Sequence, residues 1–165
     1  MPHLRKRTAL QWARDPHVEG GPDAVHQLTA ELQRWLGTPY AQGQSRRGVA
    51  CHCWGFVGGV LDALYRLSGP LPAVPFNTGL DDRRAAVAVV GMLCRRYPHV
   101  VARDGLLYPG DVLVARRVAG PGHVYIAGSG QLWHADRATG VTRTALAASL
   151  NVMRVYRLQD KHLWQ

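Results

Sequence analysis

The apolar residues of this chain change period once, at Pro109-Gly110-Asp111, and that change limits the fold more than any other feature. Before it, Val25, Leu28, Leu32, Trp35 and Leu36 fall on one face of a helix predicted over Pro22–Leu36, with Pro22 in the first turn and Gly37 as its stop. Gly37-Thr38-Pro39-Tyr40 then turns the chain into a polar loop, 41–50, that carries Arg46 and Arg47. A second helix starts near Cys53, where Phe56, Val57, Val60, Leu61, Leu64 and Tyr65 recur with amphipathic spacing, and Ser68-Gly69-Pro70 ends it. Gly55, Gly58 and Gly59 each cost that helix about 1 kcal/mol against alanine, so another backbone is expected to approach there. A third helix is predicted over Leu80–Arg96, with Thr78 as cap, Asp81 and Asp82 in the first turn, and Val87, Val90 and Cys94 on the apolar face. After Asp111 the runs Val112–Ala115, His123–Ala127, Gln131–Ala135 and Val152–Leu158 are short and separated by glycine turns, the pattern of strands and hairpins. Helices first and strands second predict an α+β fold, N-terminal helices packed on a C-terminal antiparallel sheet.

The 165 residues suit one domain, expected over 22–160, with an N-terminal arm (1–21) that packs on the domain or on a partner and a C-terminal tail (161–165). No repeat or low-complexity tract interrupts it, and 47% hydrophobic residues exclude a wholly disordered chain. A net charge of +9 favours a polyanionic partner: nucleic acid, an anionic cell envelope or an acidic protein. The Lys and Arg residues are scattered, without the aromatic-interleaved basic stripe of a nucleic-acid binder, which argues against the first. Met1–Arg7 has the charge of a signal-peptide start, but Thr8–Asp15 lacks the apolar run that would follow. No stretch has the length and apolarity of a membrane span. The expectation is a protein made in the bacterial cytoplasm without a secretion signal of its own. Three cysteines, an odd number, argue against a disulfide framework.

The chemistry-bearing residues are Cys53, opening the glycine-rich helix, and His123 and His134 on two predicted strands. A thiol near pKa 8.5 is mostly protonated at neutral pH. The positive end of a helix and a protonated imidazole both stabilise its thiolate, and backbone N–H groups at the helix start can receive an oxyanion. On the strand, His123 shares a face with Tyr125, opposite Val124 and Ile126. If the aliphatic pair faces the core, His123 points outward to a cleft, where His134 can hold its second ring nitrogen. Each residue alone fits an architectural role, a satisfied strand histidine or a buried thiol; the joint arrangement points to catalysis. The same chemistry leaves a second reading open, since Cys51, Cys53, His123 and His134 have the composition of a tetrahedral zinc site, although Cys-x-Cys spacing is unusual for one.

Five pieces in order, Gly37-Thr38-Pro39-Tyr40, Cys53-Trp54-Gly55-Phe56-Val57, Leu107-Tyr108-Pro109-Gly110-Asp111-Val112, His123-Val124-Tyr125-Ile126 and His134-Ala135, resemble the motif series of the NlpC family, papain-like cysteine peptidases that cleave bacterial cell-wall peptides. The doublet Cys51-His52-Cys53 before a Gly-Phe-Val helix is most similar to the family's phage-tail branch. The resemblance implies a papain-like domain with Cys53 as nucleophile, His123 as base, His134 as orienting residue, an active-site hydroxyl on Tyr40, and His52 and Trp54 at the substrate cleft. It implies no cofactor and no metal. The implied substrate is peptidoglycan, cut at stem-peptide amide bonds, commonly between D-glutamate and a diamino acid. The implied setting is a phage tail or tail-like particle, with tail-tip or hub proteins as partners through the N-terminal arm. Two residues depart from the family pattern: His52 stands where aspartate is usual and Trp54 where serine is common. The alternatives are a non-catalytic tail-tip component that keeps the fold and a thiol acyltransferase or amidase with the same three residues.

Overall fold

The computed structural model describes residues 9–14, 20–66, 83–116 and 122–164. Helix α1 spans Gly21–Trp35, starting from Gly20 in the left-handed region and carrying Pro22 in its first turn. It buries Leu28, Leu32 and Trp35 of the predicted face together with Ala24, while Val25 is half-buried and Leu36, just past the helix end, is exposed. Glu31 is buried on that face too, where its carboxylate accepts from Trp35 Nε1 at 2.9 Å and from Arg47 at 3.0 Å.

Helix α2, Cys53–Tyr65, is buried on nearly every side. Two of its glycines show what crowds it. A Cβ at Gly59 would lie 2.5 Å from the Trp35 ring of α1, and one at Gly55 would strike the Gln44 carbonyl. The expected close approach of a backbone therefore holds at Gly55, whereas at Gly59 the neighbour is an indole. Helix α3 is Arg83–Cys94; it ends two residues before the predicted Arg96, and the predicted start at Leu80 lies outside the described residues. Val90 and Cys94 are buried and Val87 packs against the core. Thr78, Asp81 and Asp82, and the predicted stop at Ser68-Gly69-Pro70, lie outside the described residues.

Among the described residues the strands are β1 (Gln11–Trp12), β2 (Ser45–Arg46), β3 (Ala50–Cys51), β4 (His99–Ala102), β5 (Leu106–Leu107), β6 (Val112–Arg116), β7 (Gly122–Ala127), β8 (Leu132–Asp136), β9 (Gly140–Thr144) and β10 (Asn151–Leu158). Six form one antiparallel sheet in the order β4-β10-β6-β7-β8-β9. Four of these were predicted; β4 and β9 are added at the two edges. The polar loop 41–50 also departs from expectation, because it contains the hairpin β2–β3.

Both faces of the sheet are covered. Val112, Val114, Val124, Ile126, Trp133 and Ala135 face the three helices, while Leu113, Ala115, Tyr125, Ala127, Leu132 and Val155 form a second core with Leu10, Trp12, Leu146 and Leu150. The predicted arm thus lies partly on the domain: β1 pairs in parallel with β5 and Trp12 packs on the second core. The predicted tail also differs. A 3₁₀ turn at Lys161–Leu163 follows β10, and Lys161 and Trp164 are buried. The Lys161 ammonium donates to the Pro109 carbonyl at 2.9 Å, which satisfies its charge inside the protein and ties the chain end to the Pro-Gly-Asp turn.

Candidate active site

Cys53 is the first residue of α2, and His52 before it holds extended backbone, φ −105° and ψ 179°, with its carbonyl accepting from Phe56 N–H at 2.9 Å. The thiol therefore sits at the positive end of a three-turn helix, which favours its ionised form. Cys53 keeps 7% of its surface exposed while Cys51, on β3, keeps none. Burial pushes the Cys51 thiol up to about 12, with the nearby Cys53 adding to the shift, and burial alone does the same to Cys94. Neither can supply thiolate at neutral pH.

The histidines meet across the sheet. His123 is the second residue of β7, His134 is central in β8, and His123 Nε2 lies 2.8 Å from His134 Nδ1. One nitrogen must donate and the other accept. With His123 Nε2–H as donor, His123 Nδ1 is left as the basic nitrogen and His134 is held in its Nε2–H form. Tyr125 braces both rings, with centroids 4.8 Å from His123 and 4.9 Å from His134. The period-2 pattern had put Tyr125 on the His123 face, but its contact with His134 depends on the β7–β8 register and was not foreseen.

His123 lies on the strand face opposite Val124 and Ile126, as its alternation predicts, and is 7% exposed, the same as Cys53 and His134. Two nitrogens that face each other at 2.8 Å share a proton rather than converge on one cation. Among the described residues no three His, Cys, Asp or Glu side chains group as a metal site, so the four candidate zinc ligands do not assemble into one.

A run of backbone hydrogen bonds connects the histidine strands to Cys51 on β3, two residues before Cys53. Thr142 of β9 pairs with His134. Next to it, Gly37 N–H donates to the Val141 carbonyl at 3.0 Å and Val141 N–H to the Thr38 carbonyl at 2.9 Å. On its other side that segment bonds β3: Cys51 N–H donates to the Pro39 carbonyl at 2.9 Å, and Ala41 N–H to the Cys51 carbonyl at 3.0 Å. Tyr40 lies in this connecting segment, its hydroxyl donating to Gln42 Oε1 at 3.1 Å and its ring under the Arg137 guanidinium at 5.8 Å. Helix α2 packs across β7, β8 and β2, completing the enclosure.

Gly140 permits the approach, because its φ of +73° suits only glycine and a Cβ there would strike the Thr38 carbonyl. Gly140→Ala is expected to cost about 2 kcal/mol, seen as a lower denaturant midpoint with an unchanged slope.

The two residues expected at the substrate cleft flank Cys53 at the start of α2. His52 is 2% exposed and Trp54 5% exposed, and their rings pack edge to face at 4.3 Å. The hairpin β2–β3 packs on the first turn of α2, with Ser45 Oγ donating to the Gly55 carbonyl at 2.6 Å. Burial holds the His52 imidazole below its ordinary range, against a backbone hydrogen bond that raises it.

No protein-family model and no curated protein sequence matches this chain. Solved structures do. The NlpC/p60 domain of peptidoglycan hydrolase SagA aligns with a TM-score of 0.50 and 20% identity over 82% of this chain and 97% of that one. NlpC2 from Trichomonas vaginalis aligns with a TM-score of 0.55 and 16% identity over 90% of this chain and 49% of that one. A lipoprotein-like NLP/P60-family protein from Staphylococcus aureus gives 0.52 and 17%, over 89% and 45%. The chain spans about half the length of the latter two. Among the described residues, three helices on a six-stranded antiparallel sheet, superposable on these domains, make the fold of this chain the papain-like α+β fold of NlpC/p60 domains.

Proposed function

We propose that this protein is a cysteine peptidase that hydrolyses amide bonds in the peptide stems of peptidoglycan. The observation that carries the reading is the His123–His134 hydrogen bond, on strands packed against the helix that Cys53 opens, in a fold shared with a peptidoglycan hydrolase domain. In this reading His123 Nδ1 takes the Cys53 proton and the thiolate attacks the amide carbonyl carbon. The oxyanion is received by N–H groups at the start of α2, and the amine leaves with the proton from His123. Water, deprotonated by His123, then releases the acid and regenerates the thiol. His134 holds the imidazole in its working tautomer, Tyr125 braces both rings, and Tyr40 offers a hydroxyl beside the cysteine strand.

The finer reading is cleavage between D-glutamate and a diamino acid, by an enzyme carried on a phage tail or tail-like particle. It is supported by the likeness of Cys51-His52-Cys53 and its helix to the phage-tail branch, and a net charge of +9 suits an anionic envelope.

Mass analysis of purified muropeptides incubated with the protein tests this directly. Hydrolysed stems are expected, and intact ones would remove the proposal. His123→Ala should lower kcat by about 10³-fold or more, and His134→Ala by about 10–100-fold, since the second loses orientation and not the proton acceptor. Equal losses at the two positions would contradict the division of roles.

A further inference from the structure

The residue before Cys53 opens a further question, because His52 is built into the helix start and yet does not cap it. His52 is the N-cap of α2, and its ring makes no hydrogen bond to the first-turn N–H groups. Instead, Nδ1 lies 2.7 Å from the Gln44 carbonyl oxygen, which also accepts from His52 N–H at 3.0 Å. An acceptor carbonyl makes Nδ1 the protonated nitrogen, so the ring is a donor. Gly55 leaves the room for this arrangement, since a Cβ there would strike the Gln44 oxygen and come within 2.6 Å of His52 Nδ1. Ser45 Oγ donates to the Gly55 carbonyl at 2.6 Å, adding a second tie between the hairpin and the same helical turn.

An aspartate, asparagine or serine at an N-cap ordinarily accepts from the N–H groups of the first turn. An aspartate would also set a negative charge beside Cys53, where it opposes the thiolate. A histidine that donates away from the helix does neither. It leaves the first-turn amides and the positive helix end to the sulfur and to a developing oxyanion, and it anchors the turn to the segment that leads into the hairpin by a different bond.

We propose that His52 is a positioning residue: by donating to the Gln44 carbonyl it locks the first turn of α2 against the segment that leads into the β2–β3 hairpin, and so sets the place and reactivity of the Cys53 sulfur. This rests on Cys53 being the nucleophile of the proposed peptidase, and it assigns the residue a role under the site rather than in the substrate cleft.

The test uses the full chain and reads two quantities: the rate of iodoacetamide alkylation at Cys53 at neutral pH, located by peptide mass mapping, and kcat and KM on muropeptides. His52→Leu removes the donor at similar bulk. It is expected to slow alkylation and lower kcat by about 10–100-fold each, with KM changed by less than about threefold. His52→Gln, whose amide nitrogen can donate to the same carbonyl and which is not a favoured N-cap, is expected to recover most of both. A His52→Leu protein as fast as the parent overturns the proposal, and so does a folded His52→Gln protein as slow as the leucine variant. Should His52→Leu fail to fold, Gly55→Ala carries the test. It keeps the histidine, gains helix propensity and crowds the same bond, so it must show the same loss for the proposal to stand. A parent whose Cys53 is no more reactive than Cys94, and which turns over nothing, overturns the peptidase reading itself. A reactive parent indifferent to position 52 overturns this inference alone.

Discussion

Replacing Cys53 with alanine is expected to lower muropeptide turnover by about 10⁴-fold or more and to abolish rapid alkylation, while Cys51→Ala keeps most of both. The two thiols are two residues apart but differ physically. Cys51 is a fully buried member of β3, its backbone bonded on both sides to the Pro39–Ala41 segment, and burial pushes its thiol up to about 12. Cys53 opens α2 and has partial access to solvent. Loss of Cys51 should therefore appear as lowered stability, about 1 kcal/mol for a small buried side chain, and not as lost chemistry. Mass analysis of released fragments, with iodoacetamide labelling of each variant, separates the outcomes. A dead Cys51 variant beside an active Cys53 variant would shift the whole site by two residues.

The largest loss of stability is expected at Arg157, which lies far from the cysteine in sequence and function. Asp111, the last residue of the Pro-Gly-Asp turn, is fully buried. Arg157 reaches its Oδ2 with Nη2 at 3.1 Å, donates to Asp104 Oδ2 at 2.6 Å and to the Leu106 carbonyl at 2.9 Å, and stacks on the Tyr108 ring at 4.3 Å. Burial pushes the Asp111 carboxyl above its ordinary range, against the pull of Arg157 and of the Tyr108 N–H. Removing the guanidinium leaves a buried carboxylate without its main counter-charge. Arg157→Met is expected to cost about 3 kcal/mol at pH 7.5.

The pH dependence follows from the direction of that shift. Without Arg157 the folded-state pKa of Asp111 moves further above the unfolded value near 3.9. A carboxyl raised in the folded state stabilises the protein at pH below the unfolded value and loses that contribution as pH rises through the folded value. The gap between variant and parent should thus be small near pH 4 and should widen toward neutrality. Denaturant unfolding at the two pH values measures it, and a gap independent of pH would show that Asp111 is not the group left unpaired.

Much of the architecture was legible because it depends on local period. Helices α1 and α2 lie within a residue of their predicted starts, since Pro22 and the six-residue apolar series after Cys53 leave little freedom. The β6, β7, β8 and β10 strands were likewise visible as alternating or continuous apolar runs between glycines. What escaped notice had no such run. Strand β4 exposes Val100 and Val101 at a sheet edge, β9 is mostly polar, and the hairpin β2–β3 has two-residue strands inside a loop of arginines and glycines. Lys161 was read as tail because a lysine near a chain end is ordinarily solvated, and nothing local announced the Pro109 carbonyl that receives it.

The candidate site divides in the same way. Residue chemistry and position in an element, a cysteine at a helix start and histidines on strands, were determined by the sequence itself, because each depends on a few neighbouring residues. Tertiary structure decided the rest. Pairing of β7 with β8 brought His123 within 2.8 Å of His134 and set Tyr125 against both. Burial separated Cys51 from Cys53, and packing at the start of α2 set the His52 and Trp54 rings edge to face. These outcomes depend on which strand lies beside which and on how deeply a turn is covered, and such long-range distances and desolvation costs leave no mark on local sequence.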